Sequence, residues 1–243
     1  ELGATADATK VNVWISDGKA KAEYVQTSVP GVEPGDLLLT LDRGATAIVV
    51  SQREKTTAKC EIDPIFGALR GVQPNLALPY ETTNADLKVE KLEENEGEVV
   101  AGRSTVHYKF RISYTAIGQR RSGVVVSQRV IEQEIWSIPD LDAGGPKSWP
   151  MRVPMDLRKK EFGDAVEKAL AVVKGLPVKA LTVQTITNSD GQERVTEGRV
   201  EVTELEVTDV PGKEFEVPAG FTETEFHSSM FSDPTLRRTR PIS

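Results

Sequence analysis

Cysteine occurs once in the 243 residues, at Cys60, so no disulfide can form within the chain. Histidine occurs twice, at His107 and His227, and that pair with one thiol makes no metal-ligand set. The chain has no glycine-rich phosphate loop, no nucleophile elbow, no HExxH and no paired CxxC. No apolar run reaches the roughly 20 residues that a membrane-spanning helix needs. Basic charge is also scarce: 30 Lys and Arg stand against 37 Asp and Glu, a net charge of -7. A nucleic-acid binder concentrates basic residues on one face, and the small cluster Arg237, Arg238 and Arg240 reads as a solvated tail. The acidic runs at Glu93-Glu94-Asn95-Glu96 and Glu201–Glu206 read as solvated strand faces and loops. These absences leave no nucleophile–base set, and the expectation is a protein that is not an enzyme, with no cofactor and no metal.

What is present is a long run of strict alternation. From Val99 to Ala116 the chain reads VVAGRSTVHYKFRISYTA. Val106, Tyr108, Phe110, Ile112 and Tyr114 fall on one face; His107, Lys109, Arg111 and Ser113 fall on the other. Period-two patterning of this length marks a strand with one buried face. A turn at Gly118–Gly123 leads into a second β-rich run, Val124–Ile138. Each arm, if unbroken, spans about 50 Å at roughly 3.3 Å per residue. A hairpin of that length has to twist and curve, and its concave aromatic face needs a filling.

The rest of the chain reads as strands around one helix. Val11–Ile15, a turn at Ser16-Asp17-Gly18, and Lys19–Gln26 form a hairpin. Leu37–Leu41, Ala45–Ser51 and Lys55–Ile62 follow as strands, with a short helix over Ile65–Leu69 and loop from Gln73 to Ala85. Leu87–Glu94 reads as a polar edge strand. Pro139–Pro154 is a long proline-rich loop carrying Trp149 and Met151. Phe162, Ala165, Val166, Ala169, Leu170 and Val173 then make one apolar stripe, which predicts a helix over Asp156–Lys174, stopped by Gly175 and Pro177. Phe162, Val166, Leu170 and Val173 are expected to lie buried on the sheet. Val178–Thr187 and Arg194–Val207 form a last hairpin, with a bulge near Thr203 or Glu204 where the apolar parity switches. Glu214–Val217 reads as a short strand.

The expected fold is α+β and mainly β: a curved antiparallel sheet, an open and incomplete barrel, wrapping one main helix. Residues 1–226 are expected to form a single domain and residues 227–243 a flexible tail. The aromatic face of Tyr108, Phe110 and Tyr114, with Trp136, has two readings. It is either core packed on the helix or a partly open apolar cavity, with Trp149 and Met151 as a flap and Phe162 on its helix side.

The order of elements carries a resemblance. The residues concerned are Trp14 and Lys19–Glu23, then Leu39-Thr-Leu-Asp42, then Val99-Val-Ala-Gly102 leading into Tyr108. Glu134-Ile-Trp136, the helix, Gly175-Leu-Pro177, the final hairpin and Glu216-Val-Pro-Ala-Gly-Phe221 follow. Together they cover most of residues 11–226. The chain resembles the lipoprotein-carrier-like superfamily, the LolA, LolB and RseB group, and is nearest in pattern to its secreted bacterial members. The resemblance implies an open barrel with a helical lid that shelters acyl chains. It implies a periplasmic or otherwise extracytoplasmic protein, its signal peptide removed before Glu1. The expected function is binding of a lipid, a lipoprotein acyl chain or another apolar ligand. The alternative is a protein-interaction or envelope-sensor module with a filled core. Expected partners are a lipid or acyl chain and an envelope protein, with no nucleic acid and no transmembrane segment. The residues expected to line the cavity are Tyr108, Phe110, Tyr114, Trp136, Trp149, Met151 and Phe162.

Overall fold

The computed structural model describes residues 9–27, 31–41, 46–60, 82–120, 123–141, 165–166 and 168–225. The fold is α+β, mainly antiparallel sheet with one helix, and the sheets are not closed into a barrel. One wrapped sheet is expected from the sequence; the described strands form two. The first has the order β1 (Lys10–Ser16), β2 (Lys19–Gln26), β3 (Leu37–Leu41), β4 (Thr46–Ser51), β5 (Thr56–Cys60), β11 (Thr222–Thr224), and the second β10 (Glu193–Glu201), β9 (Leu176–Asn188), β8 (Gly123–Ile138), β7 (Val106–Arg120), β6 (Thr82–Glu96). Each sheet belongs to its own compact unit, and among the described residues the chain changes unit between β5 and β6 and again at Val207/Thr208. The strands on either side of the Pro139–Pro154 loop, β8 and β9, pair in one sheet.

In the first unit, β1 (Lys10–Ser16) and β2 (Lys19–Gln26) meet at Asp17-Gly18. Their φ angles of 50° and 73° are the left-handed pair that a two-residue hairpin turn needs. Alternation on β2 buries Ala20, Ala22 and Tyr24. Next in the sheet come β3 (Leu37–Leu41), β4 (Thr46–Ser51) and β5 (Thr56–Cys60), where Leu37, Leu39 and Val50 form a core with Ile48 and Phe221. The stretch read as a strand at Glu214–Val217 is instead a 3-10 helix, Gly212–Phe215. It follows Pro211, whose φ of -60° and ψ of 138° lead into the turn, and the Glu214 amide donates to the Pro211 carbonyl at 2.9 Å. The short helix turns Phe215 into the interior and sets Glu214 2.9 Å from Lys21 on β2. Thr222–Thr224, β11, then runs parallel to β5. The short helix expected over Ile65–Leu69 lies outside the described residues.

Asp36 staples this unit. Its carboxylate accepts the Glu33 amide at 2.9 Å and the Gln52 amide at 2.8 Å. Burial pushes its pKa above the usual carboxylate range; the two amides and Arg53 only partly offset this. The neighbouring Tyr24 hydroxyl is pushed well above the tyrosine range, first by burial and then by the Asp36 charge. Both groups hold their protons more tightly when folded. Each contribution to stability is therefore full below the unfolded pKa and is lost as pH rises through the folded one. In urea melts from pH 3.8 upward, the wild-type chain is expected to lose stability relative to Asp36→Asn until Asp36 is fully ionised. A difference that stays flat across the acid range would contradict the raised pKa. The constant offset between the two proteins reports the acceptor that asparagine loses.

The second unit is built on β6 (Thr82–Glu96), β7 (Val106–Arg120), β8 (Gly123–Ile138), β9 (Leu176–Asn188) and β10 (Glu193–Glu201), all antiparallel. The long hairpin is β7–β8, in continuous register from Val106↔Ser137 to Arg120↔Gly123. Its first arm begins at Val106 rather than Val99. Ala101 and Gly102 take φ angles of 47° and 76°, which turn the chain between Val100 and Arg103. The edge strand read over Leu87–Glu94 is longer, starts at Thr82 inside the stretch expected to be loop, and carries two register shifts. β10 ends at Glu201, so the parity switch near Thr203 marks the end of a strand and not a bulge.

Residues 165–166 and 168–170 are helical. Val166 is fully buried and packs with Ile112, Tyr114 and Ile131. Leu170 and Val173 pack on the Tyr108, Phe110 and Ile135 cluster. The stripe therefore faces the sheet at these positions, although Ala165 is exposed. Phe162 and the expected start of the helix at Asp156 lie outside the described residues.

Candidate inner face and charged outer face of the second sheet

Successive residues of a strand point to opposite faces, and residues directly opposite on antiparallel neighbours share a face. On β7 this sends Tyr108, Phe110, Ile112 and Tyr114 inward, and all four are buried. The register adds Ile135, Gln133 and Ile131 from β8, opposite Tyr108, Phe110 and Ile112. The Tyr108 and Phe110 rings lie with centroids 6.5 Å apart and planes 16° apart. The Tyr108 hydroxyl accepts the Lys174 amide at 3.5 Å, and Ser137 Oγ donates to the Lys174 carbonyl. These bonds pin the end of the helical segment to the sheet. Tyr114 lies beneath the guanidinium of Arg129, 5.9 Å from the ring centroid.

Three of the seven residues read as cavity lining are thus together on this face: Tyr108, Phe110 and Tyr114. Trp136 is on the other face. It sits opposite His107 in the register, while its neighbour Ile135 takes the inward place opposite Tyr108. Aromatic character suggested the inner face for Trp136; strand parity decides otherwise. Trp149, Met151 and Phe162 lie outside the described residues.

Gln133 is the inner-face residue that the sequence reading missed. It is 1% exposed, and its Oε1 has no hydrogen-bond partner. The run Glu132-Gln133-Glu134 reads as uniformly polar, but parity places Gln133 between Ile131 and Ile135. Counting in twos from Ile135 was the available signal.

The outer face is a ladder of charges. Trp136 stacks on His107 with centroids 4.6 Å apart, and Lys179 Nζ lies 4.5 Å from the Trp136 ring. Lys179 also pairs with Glu98. Glu134 takes His107 Nε2 at 3.0 Å and Lys109 at 3.3 Å. Arg111 grips Glu132 through Nε at 3.2 Å and Nη2 at 2.7 Å, and this hydrogen bond holds the Glu132 carboxyl below the usual range. Each charge is answered by a neighbour, which suits a solvated, ordered surface.

In the first unit, Tyr24, Val32, Asp36, Leu37, Val49 and Arg53 line a cleft of about 20 Å³, room for one water molecule. The Asp36 carboxylate there is already taken by two backbone amides. Among the described residues no group of three or more His, Cys, Asp and Glu is placed to hold a metal ion, and no helix is long and apolar enough to cross a membrane. No family model, no curated protein and no solved structure matches the chain.

Proposed function

We propose that the chain is a non-enzymatic protein-interaction module of the extracytoplasmic space, with a core that its own side chains fill. The observation that supports this is the burial of Tyr108, Phe110, Ile112 and Ile131 beneath Val166, Leu170 and Val173. Apolar area already removed from water has little left to gain from an acyl chain. The surface offered to a partner is then the ordered charged ladder around Trp136, an aromatic with a polar surround of the kind enriched at interfaces.

A second reading, shelter for a lipid or acyl ligand, is favoured by one observation. Gln133 Oε1 is a buried acceptor without a donor, and a ligand's polar head would supply one. The two readings part in one experiment. Protein purified from a lipid-containing host is examined by native mass spectrometry. The wild-type chain and Gln133→Met are then melted with fatty acids and phospholipids. The interaction module expects no co-purified lipid and no ligand-induced shift. It also expects a gain of about 1 kcal/mol for Gln133→Met, because an unsatisfied buried amide is replaced by an apolar group of similar volume. Bound lipid, with a melting shift that Gln133→Met abolishes, would sink the module and support the shelter.

A further inference from the structure

The two edges of the second sheet differ in regularity. β6 carries two register shifts and a dense set of lysines and glutamates, which blunt an edge against pairing. β10 is charged as well, at Glu193, Arg194, Glu197, Arg199 and Glu201, but it has no register shift to twist its edge away. It pairs with β9 without a shift over all nine residues, holds no proline, and is exposed at every position. Val195 and Val200 are 62% and 49% exposed.

The bonds at either end of this strand fix which of its groups are free. The Val202 amide donates to the Val178 carbonyl at 2.7 Å, and the Asn188 amide to the Gln192 carbonyl at 2.9 Å. Hydrogen-bonding direction alternates along a strand, so the even-numbered residues of β10 face β9. Residues 193, 195, 197, 199 and 201 turn their N–H and C=O groups to the open edge. A second strand must therefore place its own outward-bonding residues opposite these.

We propose that this edge takes a second copy of the chain, β10 against β10 in antiparallel pairing about a two-fold axis at Gly198. Bonding parity allows only registers that set odd residues opposite odd residues. With the axis at residue 197, Glu193 meets the partner's Glu201 and Glu197 meets the partner's Glu197. With the axis at residue 199, Arg199 meets the partner's Arg199. Like charges directly opposite are destabilising. With the axis at Gly198, Glu197 meets the partner's Arg199, and symmetry makes that pair twice. Val195 meets the partner's Glu201, and Thr196 meets the partner's Val200. The closest approach of the two backbones falls on Gly198, where an added Cβ would meet nothing within 4 Å in the single chain. Residues 195, 197, 199 and 201 then form four hydrogen-bonded pairs, and the two five-stranded sheets join into one. An axis at Thr196 is the competing register, with Glu193 opposite the partner's Arg199. The dimer goes beyond the interaction-module reading and does not rest on it, since lipid binding tests that reading and oligomeric state tests this one.

The experiment is sedimentation velocity of the full chain over a wide concentration range. The salt is about 0.15 M, where repulsion between two chains of net charge -7 is screened beyond about 8 Å. A dimer that grows with concentration is expected. Val195→Pro removes one outward N–H and no bond to β9, so it should abolish the dimer and leave the circular dichroism and melting unchanged. Arg199→Glu should weaken it by about tenfold or more, by setting like charges opposite at both symmetric places. The double swap Glu197→Arg with Arg199→Glu should restore it. A chain that stays monomeric at every concentration overturns the proposal. A dimer indifferent to Val195→Pro overturns the choice of β10. A double swap that stays weak overturns the Gly198 axis, because the Thr196 register would then set two glutamates opposite.

Discussion

Phe110→Ala is expected to cost about 3–5 kcal/mol, one of the two largest effects of any substitution considered for this chain. Phe110 is fully buried on the inner face of β7 and packs with Tyr108, Ile135, Leu170 and Val173. Removing the ring forfeits its transfer from water and leaves a void between sheet and helix. The surroundings are poorly placed to collapse into it. β8 and β7 are locked by continuous register, and the helical end is bonded to Tyr108 and Ser137. The measurement is urea unfolding of the full chain followed by far-ultraviolet circular dichroism. Phe110→Leu, which leaves a smaller void, should cost well under half as much. The result also bears on function. A ring that lined an open cavity would be cheap to truncate, so a loss below about 1 kcal/mol would refute the filled core and favour a ligand.

The strands were legible where local chemistry and burial agree. The β1–β2 hairpin follows from Asp17-Gly18 and the alternation of Ala20, Ala22 and Tyr24, and the structure places it within a residue. The β7–β8 hairpin follows from strict period-two patterning with one greasy face. Errors arose where a pattern continued past a backbone break. Val99 and Val100 look like more of β7, yet the left-handed Ala101 and Gly102 cut them off. Glu214–Val217 has strand-like alternation, yet the chain forms a 3-10 turn after Pro211, over Gly212–Phe215, that buries only Phe215. The number of sheets was not legible, because alternation states that a strand has a buried face and not which sheet it joins. That β11 returns to pair in parallel with β5 rests on contacts some 165 residues apart in the chain, beyond any local signal.

The inner face was legible in part, for a reason that Trp136 and Gln133 share. Residue type argued that tryptophan goes in and glutamine goes out. Parity within β8 argued the reverse, and parity prevails because one slip would turn Ile131 and Ile135 to solvent along with it. The stray tryptophan finds compensation in His107 and Lys179. The buried glutamine does not: its Oε1 has no partner, as is also the case for Arg129 Nε opposite Tyr114 and Asn84 Oδ1 opposite Ala116.

Gly175→Ala is expected to be comparably costly, at about 2–5 kcal/mol, for a reason that involves no buried side chain. Gly175 joins the helical segment to β9 with φ at 77°. An alanine there gives up about 1–2 kcal/mol to the left-handed conformation alone. Its Cβ would also stand 2.0 Å from the Ile138 carbonyl oxygen and 2.7 Å from Pro139 Cα. Those are backbone atoms at the end of β8, so no rotamer can move them aside, and forcing the chain apart adds about 1–3 kcal/mol of overpacking. Relief would pull the helical end off the sheet and break the bonds that Lys174 makes to Tyr108 and Ser137. Gly191 supplies the control. Its φ of 80° is nearly the same, but a Cβ there meets nothing within 4 Å. Gly191→Ala should therefore show the conformational cost without the clash. Denaturant melts of the two variants side by side measure the close approach itself. Equal losses would mean that the helix end does not press on β8 as closely as these distances require.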